Sequence, residues 1–184
     1  MNEKLPGELP SDAELVQRAR EGKLGAMDEL VRRHTGSAFR VAVGILRDDD
    51  QAADVTQDAF LKAFKGIQKF RGDASFKTWL LTITANQARG VLRKVARRRE
   101  TALEGAPPTA SPDRSPEEAL QVSQEKERVL AMLQELPEKQ REAVTLRIFE
   151  GMSFREVGAA IGSSEGAARV NYHHGIRRLR ERLG

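Results

Sequence analysis

Residues 136–183, LPEKQREAVTLRIFEGMSFREVGAAIGSSEGAARVNYHHGIRRLRERL, predict three helices separated by two short breaks. Pro137 suits the first turn of a helix, where the missing N–H of proline leaves no hydrogen bond unmade. Gly151 fits the position just after that helix, where a left-handed residue is often needed. Ser153 and Glu156 then have the spacing of a capping box and predict the start of a second helix.

The second helix is short and amphipathic. Phe154, Val157 and Ile161 recur at i, i+3 and i+7, which is the buried stripe of such a helix. The segment Gly162-Ser163-Ser164 then makes a tight turn, and one of its serines caps the final helix. Two helices joined by so short a turn predict a helix-turn-helix.

The final helix separates its residues into two faces when it is plotted at 100° per residue. One face is mostly apolar and comprises Ala168, Tyr172, Gly175, Ile176, Leu179 and Leu183. The opposite face comprises Val170, His173, His174, Arg177 and Arg178, with Arg169 and Asn171 at its borders. Arginine reads guanine edges, asparagine reads adenine, and an apolar side chain contacts the thymine methyl group. A solvated basic face is the alternative interpretation, but the preceding capped helix and short turn favour DNA binding.

The composition predicts an all-α protein of one ordinary domain or two small ones. The 184-residue chain is 32% charged, 39% hydrophobic and only 5% aromatic, and helix-forming residues predominate. The net charge is only +4, but six Arg or Lys residues lie between Asn86 and Glu100 beside one acid. Local basic patches on a nearly balanced chain indicate nucleic acid contacted at defined places.

Several functional classes have little support in the sequence. The chain has no cysteine, which excludes disulfides, thiol switches and cysteine-based zinc sites. With three histidines and no nucleophile–base pair, metal cluster or phosphate-binding glycine loop, we expect no catalytic residue, no metal, no cofactor and no enzymatic activity. No apolar run approaches the ~20 residues of a membrane span, and no signal peptide opens the chain, so we expect a cytoplasmic protein without membrane insertion.

The N-terminal half predicts a series of helices. Residues 1–10 read as a disordered tail, and Ser11 with Glu14 forms a capping box for a helix that ends near Gly22. Residues 24–46 form the next helix, in which His34 is expected to be a surface or partly buried residue rather than a ligand. The expected core residues of this helix are Leu30, Val31, Ala38, Val41 and Ile45.

A third helix follows the run Asp48–Asp50, whose negative charge suits a helix start. The run is not an EF-hand, because the glycine and closing glutamate of the calcium loop are missing. The helix buries one face, made of Ala52, Val55, Ala59, Ala63 and Ile67. The other face is acidic and carries Asp50, Asp54, Gln57 and Asp58. This stripe serves either solubility or the docking of a basic protein partner.

A polar turn at residues 70–75 leads into the next helix, which Ser75 caps and Phe76 begins. The core spacing of this helix comprises Phe76, Leu80, Ile83, Gln87 and Val91. A second stripe comprises Trp79, Asn86 and Arg93, with Lys77 beside it. An aromatic residue beside amides and cations is typical of contacts to single-stranded nucleic acid. Ordinary core packing is the alternative for Trp79.

A linker separates the two halves. Four of the seven prolines fall in residues 107–116, among small and polar residues. We therefore predict a domain at residues 11–97, a flexible linker at 98–116 and a four-helix domain at 117–184. The helix that opens the second domain has Val122, Val129, Leu133 and Leu136 as its expected inward residues.

Both halves together resemble the extracytoplasmic-function sigma factors, a compact group of the sigma-70 family. DVTQDAFLKAFKGIQKFRGDASFKTWLLTITANQARGVLRK is similar to region 2 of that family, and LPEKQREAVTLRIFEGMSFREVGAAIGSSEGAARVNYHHGIRRL is similar to region 4. The two segments occur in the family's order, across a proline-rich linker and without a region 3 domain. The resemblance implies a sigma factor that binds core RNA polymerase, directs it to promoters and assists melting.

The resemblance also implies residue roles. The residues that match the segment docking on the β′ clamp helices are Asp54, Gln57, Asp58, Phe60, Leu61 and Lys62. Those that match the element binding and melting the −10 region are Phe70, Arg71, Asp73, Phe76, Lys77, Trp79, Asn86, Arg89 and Arg93, with Lys94 and Arg97 also near phosphates. The residues that would bind the −35 element are Arg169, Val170, Asn171, His173, His174, Arg177 and Arg178.

The partners implied by the resemblance are core RNA polymerase, through its β′ clamp helices and β flap, promoter DNA and an anti-sigma factor. The alternative is a stand-alone helix-turn-helix regulator that binds duplex operators without polymerase. The acidic helix and the Trp79/Asn86 stripe count against this alternative, because such a regulator needs neither.

Overall fold

The computed structural model describes residues 9–101, 128–129 and 131–183, and every regular element in this part of the chain is helical. The α-helices are α1 (Asp12–Arg20), α2 (Leu24–Leu46), α3 (Asp49–Gly66), α4 (Phe76–Thr101), α5 (Glu138–Val144), α6 (Phe154–Ile161) and α7 (Glu165–Leu183). A 3₁₀ turn at Ile67–Lys69 follows α3, and a π-helical turn at Thr145–Phe149 continues α5. The all-α prediction is confirmed.

Both predicted capping boxes are present. The backbone N–H of Ser11 donates to Glu14 Oε2 at 2.8 Å, and the same bond joins Ser153 and Glu156 at 2.8 Å. Because each box satisfies donors that the helix itself leaves open, it fixes where its helix begins. Gly151 has a φ of 71°, so the left-handed position predicted before the second box is also confirmed.

The N-terminal helices bury the faces that their periodicity predicts in α2 and α3. In α4 the predicted core spacing is partly wrong: Ile83, Gln87 and Val91 are only partly buried. The fully buried residues of α4 beyond Phe76 are Leu80, Leu81, Thr84, Ala85 and Ala88. The stripe shifts because α4 packs against α2 and α3 on one side and against α6 on another.

His34 is buried more deeply than predicted. Its Nε2 lies 2.7 Å from Asp12 Oδ2, and Arg33 Nη1 lies 3.1 Å from Asp12 Oδ1. These contacts tie α1 to α2. The histidine is thus a partnered interior group, and this pairing explains why a polar ring is tolerated there.

The C-terminal helices pack around the long helix α7. Residues 131–134 are helical, and Leu133 and Leu136 lie in the same apolar cluster as Val144, as predicted. The prediction for Val129 is wrong, because 45% of this residue is exposed. Val122 and most of the predicted linker lie outside the described residues, and α4 extends beyond residue 97 to Thr101.

Gly175 is explained by close packing. A Cβ at this position would lie 2.7 Å from Val144 Cγ2 and 3.3 Å from the carbonyl oxygen of Gln140. The glycine therefore lets α7 approach α5 more closely than an alanine would allow.

The two halves of the chain pack on one another and share a continuous core. Buried residues of α2 and α4 belong to the same apolar cluster as Leu146, Val157 and Ile161. Gly44 and Thr145 approach closely at this junction, because a Cβ atom added to Gly44 would lie only 2.9 Å from Thr145 Cγ2. The junction therefore places the helix-turn-helix directly against α4.

Candidate nucleic-acid interface

The loop between the 3₁₀ turn and α4 is anchored from α1. Arg20 Nε donates to the carbonyl oxygen of Ile67 at 3.1 Å, and its Nη2 donates to that of Phe70. In return, Gln68 Nε2 donates to the carbonyl oxygen of Arg20 at 2.8 Å. Sequence periodicity did not identify Arg20, because its partners are backbone atoms nearly fifty residues away. Its guanidinium fixes the point at which the loop starts.

The loop exposes charge and covers an aromatic cluster. Arg71 and Asp73 are exposed and form an ion pair at 2.9 Å. The ring of Trp79 lies 4.8 Å from that of Phe70 and 6.1 Å from that of Phe76. Trp79 is partly buried, so it packs on the cluster while part of its side chain remains accessible. Phe76 is only 2% exposed and belongs to the core, so its predicted contact with DNA could only be indirect.

Polar residues of α4 continue from this cluster along the helix. Asn86 and Arg93 are exposed, whereas Lys77 and Arg89 are partly buried. Arg89 donates to Asn86 Oδ1 and also, at 2.6 Å, to the carbonyl oxygen of Ala160 in α6. The structure thus brings Trp79, Lys77 and Asn86 onto one helix, but it directs Lys77 and Arg89 toward the C-terminal half.

The acidic face of α3 is solvent-accessible. Asp50, Asp54, Gln57 and Asp58 are all exposed, and 52% of Leu61 is exposed beside them. Lys62 belongs to this face and donates to Gln87 Oε1 of α4 at 3.0 Å. Phe60 is 6% exposed and packs inward near Phe64, so it cannot itself form part of a contact surface.

The face of α7 that is predicted to bind DNA is exposed to solvent. Arg169, Val170, His173, His174, Arg177 and Arg178 are exposed, and Asn171 is partly buried. Asn171 Nδ2 donates to the carbonyl oxygen of Ala167 at 2.9 Å, and the Arg169 guanidinium lies 4.8 Å from the centre of the Phe154 ring. Ala168 and Gly175 are buried on the opposite side, as predicted.

Two buried glutamates of the C-terminal half face the cations of the N-terminal half. Glu150 Oε1 lies 3.0 Å from Arg40 Nε, and Glu150 Oε2 lies 3.0 Å from Lys77 Nζ. Glu142 Oε2 lies 3.7 Å from Arg89 Nη1. The side chains of both glutamates are fully buried. No local pattern predicts these pairs, because their members are far apart in the chain.

Glu142 and Glu156, both in the C-terminal half, have pKa values that are shifted in opposite directions. Burial raises the pKa of Glu142 to about 7, against the opposing effect of Arg89. Burial also acts to raise the pKa of Glu156, but hydrogen bonds from Ser153 and Thr78 outweigh it and hold that pKa below its ordinary value. Glu156 therefore stays ionised while it both caps α6 and accepts a 2.8 Å bond from Thr78 Oγ1.

A cleft of about 580 Å³ lies between the loop and α6. It is lined by Phe70, Arg71, Thr78 and Trp79 on one side and by Arg155 on the other.

In the described part of the chain, no cluster of three metal-ligating side chains is found, and no helix is long and apolar enough to cross a membrane.

Comparison with known proteins identifies the family. The model of sigma-70 region 2 matches residues 30–99, and that of sigma-70 region 4 matches residues 126–179. The RNA polymerase sigma factor CarQ of Myxococcus xanthus is 35% identical over 175 residues, which cover 92% of this chain and 95% of CarQ. The chain belongs to the sigma-70 family. As a sigma factor it directs RNA polymerase in transcription initiation.

Other relatives place this sigma factor in the extracytoplasmic-function group. The ECF sigma-E factor of Escherichia coli K12 is 31% identical, over 86% of this chain and 87% of that protein. Among solved structures, CnrH in complex with the cytosolic domain of CnrY has a TM-score of 0.71 and 26% identity, over 94% of this sigma factor and 96% of CnrH. The predicted family and function are confirmed.

Proposed function

We propose that this sigma factor has two domains with different binding functions, at residues 11–97 and 117–184. A linker at residues 98–116 joins them, and a tail at residues 1–10 precedes the first. The first domain binds core polymerase and the −10 element, and the second binds the −35 element. This proposal is supported mainly by the different chemistry of α3 and α4, whose surfaces are acidic and cationic respectively. A hydrogen bond from Lys62 to Gln87 joins the two helices. An acidic surface and a cationic, aromatic surface on one domain suit two different partners.

The polymerase-docking surface is the exposed face of α3. Asp54, Gln57 and Asp58 supply charge and hydrogen-bonding groups, and Leu61 supplies an apolar centre. Such a combination suits a basic helical partner, here the β′ clamp helices. Phe60 supports this surface from within the core, and Lys62 lies at its border with α4.

The −10-binding surface is the loop at residues 70–75 together with α4. Trp79 supplies an aromatic edge, and Asn86 supplies an amide that can read the edge of an extruded base. Extrusion costs on the order of a few kcal/mol, which capture of the base must offset. Lys77, Arg89 and Arg93 hold phosphates and so strengthen binding without specifying sequence.

The −35-binding surface is the exposed face of α7. Val170 is 54% exposed and suits a thymine methyl group, while Arg169 and Asn171 can reach base edges. His173 and His174 lie on the same face, and Arg177 and Arg178 continue it toward phosphates. The β flap of the polymerase binds the same domain.

An anti-sigma factor is a further proposed partner. CnrH is bound by CnrY, and the sigma factor RpoE of Bartonella quintana, a structural neighbour, is bound by the anti-sigma factor NepR. We further propose that the protein works in the cytoplasm, where it meets RNA polymerase, and that it has no catalytic activity of its own, since nucleotide addition belongs to the polymerase.

The docking surface is tested by the double variant Asp54→Arg/Asp58→Arg in a binding titration with core polymerase. Loss of binding with an unchanged circular dichroism spectrum is expected, because two cations would then face the basic partner. The matched control is Glu21→Arg/Asp28→Arg, which makes the same charge change at exposed residues of the same domain outside α3. Wild-type affinity of the first variant would refute the assignment of α3.

A further inference from the structure

Phe154, the first residue of α6, lies against the exposed face of α7. The apolar spacing of α6 predicts that Phe154 is buried with Val157 and Ile161, but this part of the prediction is wrong, because Phe154 is only partly buried. The centre of its ring lies 5.4 Å from that of Tyr172 and 6.3 Å from that of His173. Phe154 therefore belongs to the contact between the two helices rather than to the core.

Two guanidinium groups lie against the Phe154 ring. Arg169 Cζ lies 4.8 Å from the centre of the ring, and Arg147 Cζ lies 4.9 Å from it. Both distances are within the range at which the electrons of an aromatic face attract a cation. Arg147 Nη1 also donates to the carbonyl oxygen of Met152 at 2.7 Å. Arg147 is thus tied to the backbone just before α6, and together with Tyr172 it fixes the position of the ring.

Arg169 is restrained much less by its own helix. Its side chain is exposed, and its Nη2 lies 3.1 Å from Glu165 Oε1, one turn earlier in α7. An exposed ion pair of this kind holds a long side chain weakly, because water and salt screen the attraction. The Phe154 ring adds a restraint from a different helix. Because the ring supplies no strong hydrogen-bond acceptor, most of the five N–H donors of the guanidinium remain available to a base.

We propose that Phe154 is a positioning residue for −35 recognition, whose ring holds the Arg169 guanidinium in the place where it reads a base pair. This inference rests on the proposed −35-binding role of α7. Arg169 lies in the N-terminal part of α7, and this is the part of a recognition helix that reaches base edges in the major groove. A guanidinium binds guanine O6 and N7 together, so the base pair that is read through Phe154 is G·C. A side chain that is already held in one geometry loses less entropy on binding.

Competition between promoters tests this role. Promoters that are enriched by the complex of the wild-type sigma factor with core polymerase supply the template, and each base pair of the −35 element is replaced in turn. The altered promoters then compete with the parent promoter for the complex, and the bound DNA is sequenced. Each base preference is a ratio within one sample, so it does not change if a variant contains less folded protein.

Phe154→Leu removes the ring and keeps an apolar side chain at the start of α6. It should reduce the preference at one G·C pair by about fivefold, which corresponds to the cost of ordering one long side chain. That pair should be the one at which Arg169→Ala loses its preference, and preferences at the other pairs should stay at their wild-type values. Phe154→Tyr keeps an aromatic face and should retain the wild-type preference.

A double-mutant cycle separates positioning from a general weakening of the domain. In the Arg169→Ala background, Phe154→Leu should cause no further loss at that pair, because the ring then has no guanidinium to position. An equal additional loss in that background would overturn the proposal. The matched control is Phe149→Leu, which removes a ring that is 41% exposed in the same half of the chain. It should leave every −35 preference unchanged, and a loss at the same pair would also overturn the proposal.

Failure of this inference and failure of the proposed function give different results. If Arg169→Ala loses its preference at one base pair while Phe154→Leu keeps it, the positioning role is refuted and the proposed −35-binding face of α7 stands. If Arg169→Ala changes no preference, Arg169 does not read a base. The proposed role of Arg169 then fails, and the positioning role of Phe154 fails with it.

Discussion

Glu142 of α5 faces Arg89 of α4 across the junction between the two halves of the chain, with 3.7 Å between Oε2 and Nη1. Neither oxygen of the buried carboxylate has a hydrogen-bond partner among the described residues. The arginine is therefore too distant to offset the loss of water around the charge. Burial therefore raises the pKa of the Glu142 carboxyl group.

Glu142 should make stability depend on pH. Burial raises its pKa from an ordinary 4.5 to about 7; Glu138 reinforces the rise, and Arg89, Arg141 and Lys139 oppose it. Because the folded state then holds a proton that the unfolded state has lost, the free energy of unfolding should fall by up to about 3 kcal/mol as pH rises from about 4.5 to about 7.

Urea titrations of the wild type and Glu142→Gln between pH 4.5 and pH 8 check this dependence. The amide should remove the fall that Glu142 causes, while other titrating groups contribute equally to both proteins. Parallel curves for the two proteins would show that folding does not raise the pKa of Glu142.

Gly175→Ala should destabilise the packing of α7 on α5. The added methyl group would meet Val144 and the backbone of α5, and overpacking of this kind costs about 1–3 kcal/mol against a helix-propensity gain of at most ~1 kcal/mol. Gly166→Ala on the same helix meets nothing within 4 Å and is the matched control. Thermal denaturation should show a lower midpoint for the first variant alone, and a midpoint at or above the wild-type value would contradict the packing argument.

Asn86→Ala should impair promoter opening more than closed-complex formation. Asn86 is exposed, so its loss removes a proposed base contact without a core defect. Gln17→Ala, on the exposed side of α1, is the control because Gln17 lies outside both proposed surfaces. Gel-shift assays of the closed complex and permanganate footprints of the open complex separate the two steps, and an equal loss at both would count against base capture.

Arg20→Lys should weaken binding to the −10 strand about tenfold, because an ammonium cannot hold two carbonyl groups with the geometry of a guanidinium. Binding to core polymerase should not change, since the exposed face of α3 is untouched. Arg18→Lys, on the exposed side of α1, is the control. Unchanged DNA binding by Arg20→Lys would show that the loop is positioned without α1.

Local signals in the sequence predicted local structure well. Ser153 and Glu156 define a helix start within four residues, and the period of α3 identifies its buried face because both depend only on neighbours in the chain. The resemblance assigns Phe60 and Phe76 to contact surfaces, although both lie in the core, where the helix periodicity also places Phe76. A matched motif indicates that a residue is needed, but not whether it contacts the partner or supports the surface.

Long-range pairings could not be predicted in this way. Arg40 and Glu150 are 110 residues apart, and no periodicity relates them. No local pattern predicts the π-helical turn after α5 either. Thr145 and Leu146 of this turn are buried by packing against other helices. Tertiary packing decides such features, and the sequence of one element does not specify its partner.

Promoter selection and opening by this sigma factor are tested most directly by mixing it with bacterial core polymerase and genomic fragments, sequencing the bound set and mapping melted positions with permanganate. Core-dependent enrichment of two spaced elements, with reactive thymines in the downstream one, is the predicted result. Enrichment of unmelted palindromes without core polymerase would contradict it and would indicate a stand-alone helix-turn-helix regulator.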